Sequence, residues 1–425
     1  MLGDRFQDDG QATLTLTQEQ LKTRDLVLHK LHSGVYPTET VPCLCGQHNF
    51  DELARKDRYG LPVITVICRD CGQALTNPRM TQAAYESFYQ HEYRWLYVGE
   101  VKATERFFAA QYSHGQRIYQ YVYEQGVKCQ NVLEIGCGAG GILQAFEDEG
   151  INSVGVDLGN EYLDFGKSHG LTLFNMSSQQ LLESHSNSFD LIILSHVFEH
   201  FLDIEKELSA VITLLKSDGV LYIEVPGIKN LRATYECDFL RYLQNAHTYH
   251  FSLGTLQNAV VEHGFKMFAG DESVKALFKS NQIKQVNTRS NEYYSIRDFL
   301  LDLELNRQDY LKSLSVAKLQ KKQSAFSMVD QNISHFPNGS VCIYGTGQHT
   351  LNLLDQLTNR AKILGLLDND EKKIGTYVGA FEVLKLSDIQ QQVKAIIISS
   401  STFQSEIYFR LRHLRSQGIE LIKIY

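Results

Sequence analysis

Between about residues 106 and 280 four apolar runs recur: QNVLEIGC, INSVGVDLG, FDLIILSHV and GVLYIEVPG, each bounded by Gly, Asp or Asn. Their unbroken hydrophobicity predicts strands buried on both faces. The intervening stretches, such as ILQAFEDEG and DIEKELSAVITLLKSDG, read as helices. Strand–helix alternation of this kind implies parallel strands joined by right-handed crossovers. Residues 292 to 333 contain no Gly or Pro and space their apolar residues by three and four, which predicts helix. After FPNGS the alternation resumes with VCIYGTG, a helix, AKILGLLDND and VKAIIISSS, which predicts a separate small α/β domain. Residues 1 to 105 lack this rhythm and are rich in turns, aromatics and cysteines. The expected organisation is therefore an N-terminal module (1–105), an α/β domain (106–285), a helical linker (286–335) and a second, smaller α/β domain (336–425).

Composition narrows the class of partner. The 425 residues are 43% hydrophobic and 21% charged, as in an ordinary globular protein. A net charge of −8 without a basic stripe argues against nucleic acid, whose phosphates need clustered Lys and Arg. The polar, acidic start MLGDRFQDDGQATLTL lacks the apolar core of a signal peptide, and no run of 18 apolar residues predicts a membrane span. Eight cysteines without a secretory signal read as thiols or metal ligands in a reducing, cytoplasmic setting. Oligomeric state is not legible.

The stretch VLEIGCGAGG fits two glycine-rich templates. Gly136, Gly138 and Gly141 satisfy the dinucleotide fingerprint G-x-G-x-x-G. Glu134, Gly136, Gly138 and Gly140 satisfy the looser E-x-G-x-G-x-G of loops that hold S-adenosylmethionine. Glycines serve both ligands alike, because each needs a sharp turn and close backbone approach. Glu134 separates them. A carboxylate there would repel pyrophosphate, whereas S-adenosylmethionine carries an ammonium and a sulfonium and no phosphate. Asp157, closing the second strand in VGVDLG, suits a carboxylate that accepts ribose hydroxyls in either class.

These motifs, with FDLIILSHVFEH and VLYIEVPG, resemble the Rossmann-like class I S-adenosylmethionine-dependent methyltransferases over roughly residues 106 to 270. The resemblance implies that residues at the ends of the third and fourth strands flank adenine and acceptor; Met176 and Ser177, then Ser195 and His196, occupy those positions. An Asp is frequent at the third strand end in that class, and Met176–Ser177 departs from it. His196, Glu199 and His200 also spell H-x-x-E-H, a zinc-hydrolase signature. That chemistry needs the pentapeptide within a helix, and here it directly follows a strand, so His196 is expected to line the acceptor pocket while Glu199 and His200 begin the next helix.

Cys43, Cys45, Cys68 and Cys71 form two close pairs, each ending before a glycine as in a zinc knuckle. Four thiolates suit a structural zinc, although the first pair is C-x-C and His48 is an alternative ligand; unligated thiols are the competing reading. Cys129, Cys137, Cys237 and Cys342 are scattered and read as structural. A zinc module, a methyltransferase domain and a further α/β domain, in that order, resemble the sugar C-methyltransferases of deoxysugar biosynthesis. The resemblance implies a nucleotide-linked sugar as small-molecule acceptor. In that family a Tyr-x-Glu-His run precedes a Phe-Ser-Leu like Phe251–Leu253, and its His is the proposed base. That His falls on His247, but the Tyr and Glu fall on Gln244 and Ala246, so C- and O-methylation both stay open. Tyr93, in HEYRWLY, is expected either to face the sugar or to pack between domains. His250, His263 and His349 read as structural.

In the C-terminal domain IYGTGQHT offers Gly345 and Gly347, with Thr350 in place of a third glycine, and Asp368 follows at ribose-binding spacing. A shelf for the substrate's nucleotide or sugar, a packing domain and a nicotinamide site of a fused reductase or epimerase are all compatible with it. A non-catalytic, zinc-stabilised assembly protein is the remaining alternative for the whole chain.

Overall fold

A computed structural model describes residues 2–99, 102–280 and 289–425. The chain divides into two compact units, residues 1–103 with 115–314, and residues 104–114 with 315–425.

The first unit is built on a seven-stranded sheet. Its strands are β1 (Asn131–Ile135), β2 (Asn152–Asp157), β3 (Leu173–Asn175), β4 (Phe189–Ser195), β5 (Leu215–Glu224), β6 (Phe265–Gly270) and β7 (Lys275–Ser280). They lie in the order β6-β7-β5-β4-β1-β2-β3. Strands β1 to β5 are mutually parallel, while β7 runs antiparallel to both β5 and β6. The four strands expected from apolar runs are all present. The β6–β7 hairpin was not expected from the sequence: β6 alternates buried and exposed positions at an edge and so lacks a continuous apolar run. This reversed strand departs from the all-parallel dinucleotide fold.

Helices α1 (Gly141–Glu147), α2 (Asn160–Ser168), α3 (Ser178–His185) and α4 (Ile204–Leu214) follow the first four strands. Leu133, Ile192, Leu194, Leu221 and Ile223 are fully buried or nearly so in the core, each contributing about 1.5–3 kcal/mol by leaving water. Glu134, Asp157 and Ser195 stand at or near the carboxyl ends of β1, β2 and β4, the edge of a parallel sheet at which ligands bind in open α/β folds.

A second, antiparallel sheet shapes the site. It contains Phe50–Ala54, Thr65–Cys68, Ala74–Thr76 and the short strand Tyr249–His250. Tyr249 pairs with Leu75 and His250 with Ala74, so the cysteine-bearing segment and the stretch around His247 share one ladder.

The long helical stretch is two helices, Tyr293–Leu305 and Arg307–Ile333, interrupted at Asn306. Tyr293, Ile296, Leu300 and Leu303 enter a core of the first unit, whereas Phe326, Val329 and Ile333 join the core of the second. The second unit holds strands β8 (Val341–Tyr344), β9 (Ile363–Leu367), β10 (Tyr377–Val378), β11 (Phe381–Leu384), β12 (Ala395–Ile398) and β13 (Glu420–Lys423), ordered β10-β11-β9-β8-β12-β13. All but the β10–β11 pair are parallel. Among the described residues no helix is long and apolar enough to cross a membrane.

Candidate functional site

Gly136, Gly138 and Gly140 all adopt positive φ (+74°, +55° and +77°), so the turn after β1 needs residues without a Cβ. A Cβ on Gly136 would also run into the Val197 side chain, and one on Gly140 would stand 2.8 Å from Leu171 Cδ1. Asp157 fixes the loop from the end of β2. Its Oδ2 accepts the Gly138 N–H at 2.9 Å and its Oδ1 the Gly159 N–H at 2.8 Å.

Glu134 lies beneath this loop, 2% exposed, and its Oε2 has no hydrogen-bond partner. Burial first, and the nearby Asp157 charge second, hold its carboxyl well above the usual carboxylate range. A buried acid without a partner is costly, and a cationic ligand would relieve that cost. Arg94, which sequence reasoning missed, joins the same corner. A Cβ on Gly159 would stand 3.3 Å from Asp157 Oδ1 and 3.5 Å from Arg94 Nη2, and the Arg94 guanidinium covers the Tyr162 ring at 3.7 Å.

Of the two residues following β3, Met176 packs against the hydrophobic core and Ser177 caps α3, its hydroxyl accepting the Gln180 N–H at 3.3 Å. Ser195 ends β4 and is buried. The next residue, His196, has φ +56°, a left-handed conformation uncommon outside glycine.

Glu199 and His200 do not begin α4, contrary to expectation. They form a 3-10 turn, Phe198–His200, and α4 starts at Ile204, capped by Asp203 accepting the Lys206 N–H at 3.0 Å. The tight turn directs Glu199 inward. Its Oε1 lies 3.7 Å from His196 Nδ1, 3.8 Å from His200 Nε2 and 3.8 Å from His247 Nε2. The fold therefore gathers His196 and His247, both expected in the site, around a carboxylate that was expected elsewhere.

His247 is 4% exposed; its Nε2 contacts the Gln244 amide and its ring centroid is 4.8 Å from that of His200. Burial, with the neighbouring imidazoles of His200 and His250, pushes its pKa well below the ordinary imidazole value. His250 is buried deeper still, and burial alone pushes it down to about 3. Tyr93 stacks on Tyr89 at 4.3 Å between centroids and approaches the His200 ring at 6.2 Å, edge-on. Burial pushes its hydroxyl up to about 12. The Tyr89 hydroxyl reaches His200 Nδ1 at 2.7 Å. A signal for Tyr89 was present: Tyr85, Tyr89, Tyr93 and Tyr97 recur every four residues, which puts them on one helical face.

Cys43, Cys45, Cys68 and Cys71 converge, with Sγ–Sγ separations of 3.4 Å for Cys43–Cys71 and 3.6 Å for Cys45–Cys68. Gly46 and Gly72 take φ of +81° and +82°, turning the backbone behind each pair. His48 is exposed and outside this group.

In the second unit, Gly345 has φ +115° and its carbonyl accepts the Thr350 hydroxyl at 3.0 Å. Asp368 accepts Lys373 Nζ at 3.0 Å, the Asp370 N–H at 3.0 Å and the Thr346 hydroxyl. His349 bonds Ser399 and Tyr425, each at 2.9 Å.

Residues 85–269 match the family model of a methyltransferase domain, and residues 338–424 match one described as C2185-like, N-terminal. A ubiquinone biosynthesis O-methyltransferase of Bartonella bacilliformis is 24% identical over 179 residues, covering 39% of this chain and 65% of the relative. One from Actinobacillus pleuropneumoniae is 32% identical over 107 residues, covering 23% and 46%. The chain thus spans less than two thirds of the length of these curated relatives. Among solved structures, a SAM dependent methyltransferase from Archaeoglobus fulgidus is 23% identical and covers 46% of this chain and 88% of that one, with a TM-score of 0.32.

Proposed function

We propose that this chain transfers the methyl group of S-adenosylmethionine to a polar small molecule, with a sugar, nucleotide-linked in the leading reading, as acceptor. The observation that carries the cofactor assignment is Glu134, a buried carboxyl with an unpartnered oxygen beneath a loop of left-handed glycines. Such a place favours a cation and disfavours pyrophosphate. Asp157 and Arg94 hold the ribose and adenine side, Met176 and Ser177 border the base, and Ser195 closes the strand beside the sulfonium. The O-methyltransferase names of the curated relatives support oxygen as the atom methylated.

On the acceptor side, the role expected of His247 alone passes to the cluster of His196, Glu199, His200 and His247. In this reading His196, whose side chain is half-exposed, takes the acceptor proton, and the stacked rings of Tyr89 and Tyr93 border the acceptor. The polarity of this lining suits an oxygen-rich acceptor better than an apolar one. The engagement of Asp368 by Thr346, Lys373 and the Asp370 N–H disfavours a nicotinamide site in the second unit, whose ribose would compete for that carboxylate.

The four cysteine sulfurs fit a closed structural zinc. Two thiolates on one zinc, ~2.3 Å from it at a tetrahedral angle, lie ~3.8 Å apart, close to the separations found. Bound there, zinc would cross-link the two glycine turns. The test of the function is equilibrium dialysis against S-adenosylmethionine and NAD side by side, followed by assay of S-adenosylhomocysteine release with a panel of nucleotide sugars and free hydroxylated acceptors. Retention of S-adenosylmethionine alone, with turnover on a sugar, is expected; retention of NAD alone would overturn it.

A further inference from the structure

The first unit contains a second group of metal-ligating side chains, remote in kind from the cysteines. Glu199, His200 and His247 each offer one ligand atom, all within 4.8 Å of one another. Glu199 is 2% exposed, and neither of its oxygens has a hydrogen-bond partner. A buried carboxylate in that state costs several kcal/mol unless something positive meets it.

His196, 3.7 Å away and raised in pKa by this carboxylate, meets it from the exposed side, but His200 and His247 on the buried side do not supply a proton. His200 Nδ1 faces the Tyr89 hydroxyl at 2.7 Å, which can donate or accept, and the Ala246 carbonyl at 2.8 Å, which can only accept; the carbonyl favours the hydrogen on Nδ1. In the neutral ring Nε2 then presents a lone pair to Glu199. The Gln244 side chain orders His247 in the same sense. Its Oε1 accepts from Arg58, which leaves its amide N–H₂ to donate to His247 Nε2. Two imidazole nitrogens thus face one carboxylate oxygen, each 3.8 Å from it, and an ion there would replace the Gln244 N–H at the His247 lone pair.

We infer that this cluster is a binding site for a divalent transition-metal ion. Two ligands on one ion at ~2.1 Å can be no more than ~4.2 Å apart, and 3.8 Å corresponds to an angle of about 130°. Two His and one carboxylate form a ligand set that suits such ions and leaves positions open for water or another oxygen. The His200 Nδ1–H bond to a backbone carbonyl is the support that fixes the tautomer and orientation of a metal-binding imidazole. This is not the hydrolase signature spelled by His196, Glu199 and His200. The pentapeptide is no helix, and the third ligand arrives 47 residues downstream through the ladder that joins Tyr249 to Leu75.

The site deepens the methyl-transfer reading and rests on it for its purpose. Val197, inside the same turn, abuts Gly136 of the cofactor loop. An acceptor hydroxyl on the ion would ionise more readily, its proton passing through His196 to solvent. The oxygen then bonds the methyl carbon as the carbon–sulfur bond breaks, and that electron pair stays on sulfur.

The probe is Mn²⁺, which prefers oxygen and nitrogen ligands and so reports this cluster rather than the cysteines. Titration followed by electron paramagnetic resonance should show a bound fraction with directly coordinated imidazole nitrogen in spin-echo modulation. Glu199→Gln should weaken that binding by more than the ~10- to 100-fold typical of outer-shell changes. Binding of S-adenosylhomocysteine, measured on the same samples, reports folding and tests the cofactor assignment separately. S-adenosylhomocysteine bound while Mn²⁺ stays free, Mn²⁺ bound without nitrogen coupling, or equal Mn²⁺ affinity in Glu199→Gln and the parent each overturns the inference. The nitrogen coupling is read on the parent protein, so it decides the matter even should the variant not fold.

Discussion

Asp157 accepts the backbone N–H of Gly138 at 2.9 Å, and this one bond ties the end of β2 to the glycine loop after β1. The carboxylate thus shapes the loop before any ligand arrives. Its second oxygen holds Gly159 at the start of α2.

Replacing Asp157 by Ala therefore removes two charge-assisted bonds, each contributing about 1.5–3 kcal/mol, as well as the proposed contact to ribose. S-adenosylhomocysteine affinity should fall by at least about tenfold, with a lowered Tm in the free protein. Calorimetric titration and thermal unfolding measure both. Loss of affinity without any change in Tm would mean that Asp157 acts on the ligand alone.

Gly136→Ala meets two obstacles, a positive φ and the Val197 side chain. The variant should lose cofactor binding. Adding Val197→Ala removes the steric half and leaves the backbone half, about 1–2 kcal/mol. The double variant should regain part of the affinity. No regain at all would place the cause in the backbone alone.

His196 combines a left-handed backbone with a side chain 3.7 Å from Glu199. His196→Gly relieves the strain, about 1 kcal/mol, while deleting the imidazole. The expected outcome is a Tm unchanged or raised with methyl-transfer activity down at least tenfold. Activity equal to the parent's would remove His196 from the acceptor side.

How far the sequence foretold this site depends on the kind of information each residue carries. The β1, β2, β4 and β5 runs were legible because parallel strands are apolar on both faces, and the E-x-G-x-G-x-G stretch because its turn demands glycine. Glu199 was misplaced. A carboxylate after a strand is most simply a helix-start residue, and only the 3-10 turn before α4 turns it inward. Its meeting with His247 depends on strand pairing with residues 74–75, a long-range contact without local signature. Arg94 was hidden for the same reason, since what it meets is set by helix packing. Tyr89 was readable from the four-residue tyrosine spacing and was passed over.

The cysteine group supplies a further prediction. Elemental analysis should find zinc in the purified protein, and Cys68→Ser should lose it along with several kcal/mol of stability, since binding energy at a structural site is folding energy. Zinc-free protein that unfolds like the loaded form would show the thiols to be unligated core residues.

The central claim is that Glu134 meets a cation. Burial raises the pKa of this carboxyl well above the usual range, so the free protein holds its proton to a higher pH than an exposed carboxyl would. A cationic ligand favours the ionised form, so at pH near or below that raised pKa binding releases a proton and affinity rises with pH. The decisive measurement is calorimetric titration with S-adenosylmethionine in buffers of different ionisation enthalpy, for the parent and for Glu134→Gln. Proton release is expected on binding to the parent, with both the release and at least about tenfold of the affinity lost in Glu134→Gln. Binding of equal strength in both, with no proton released, would contradict it.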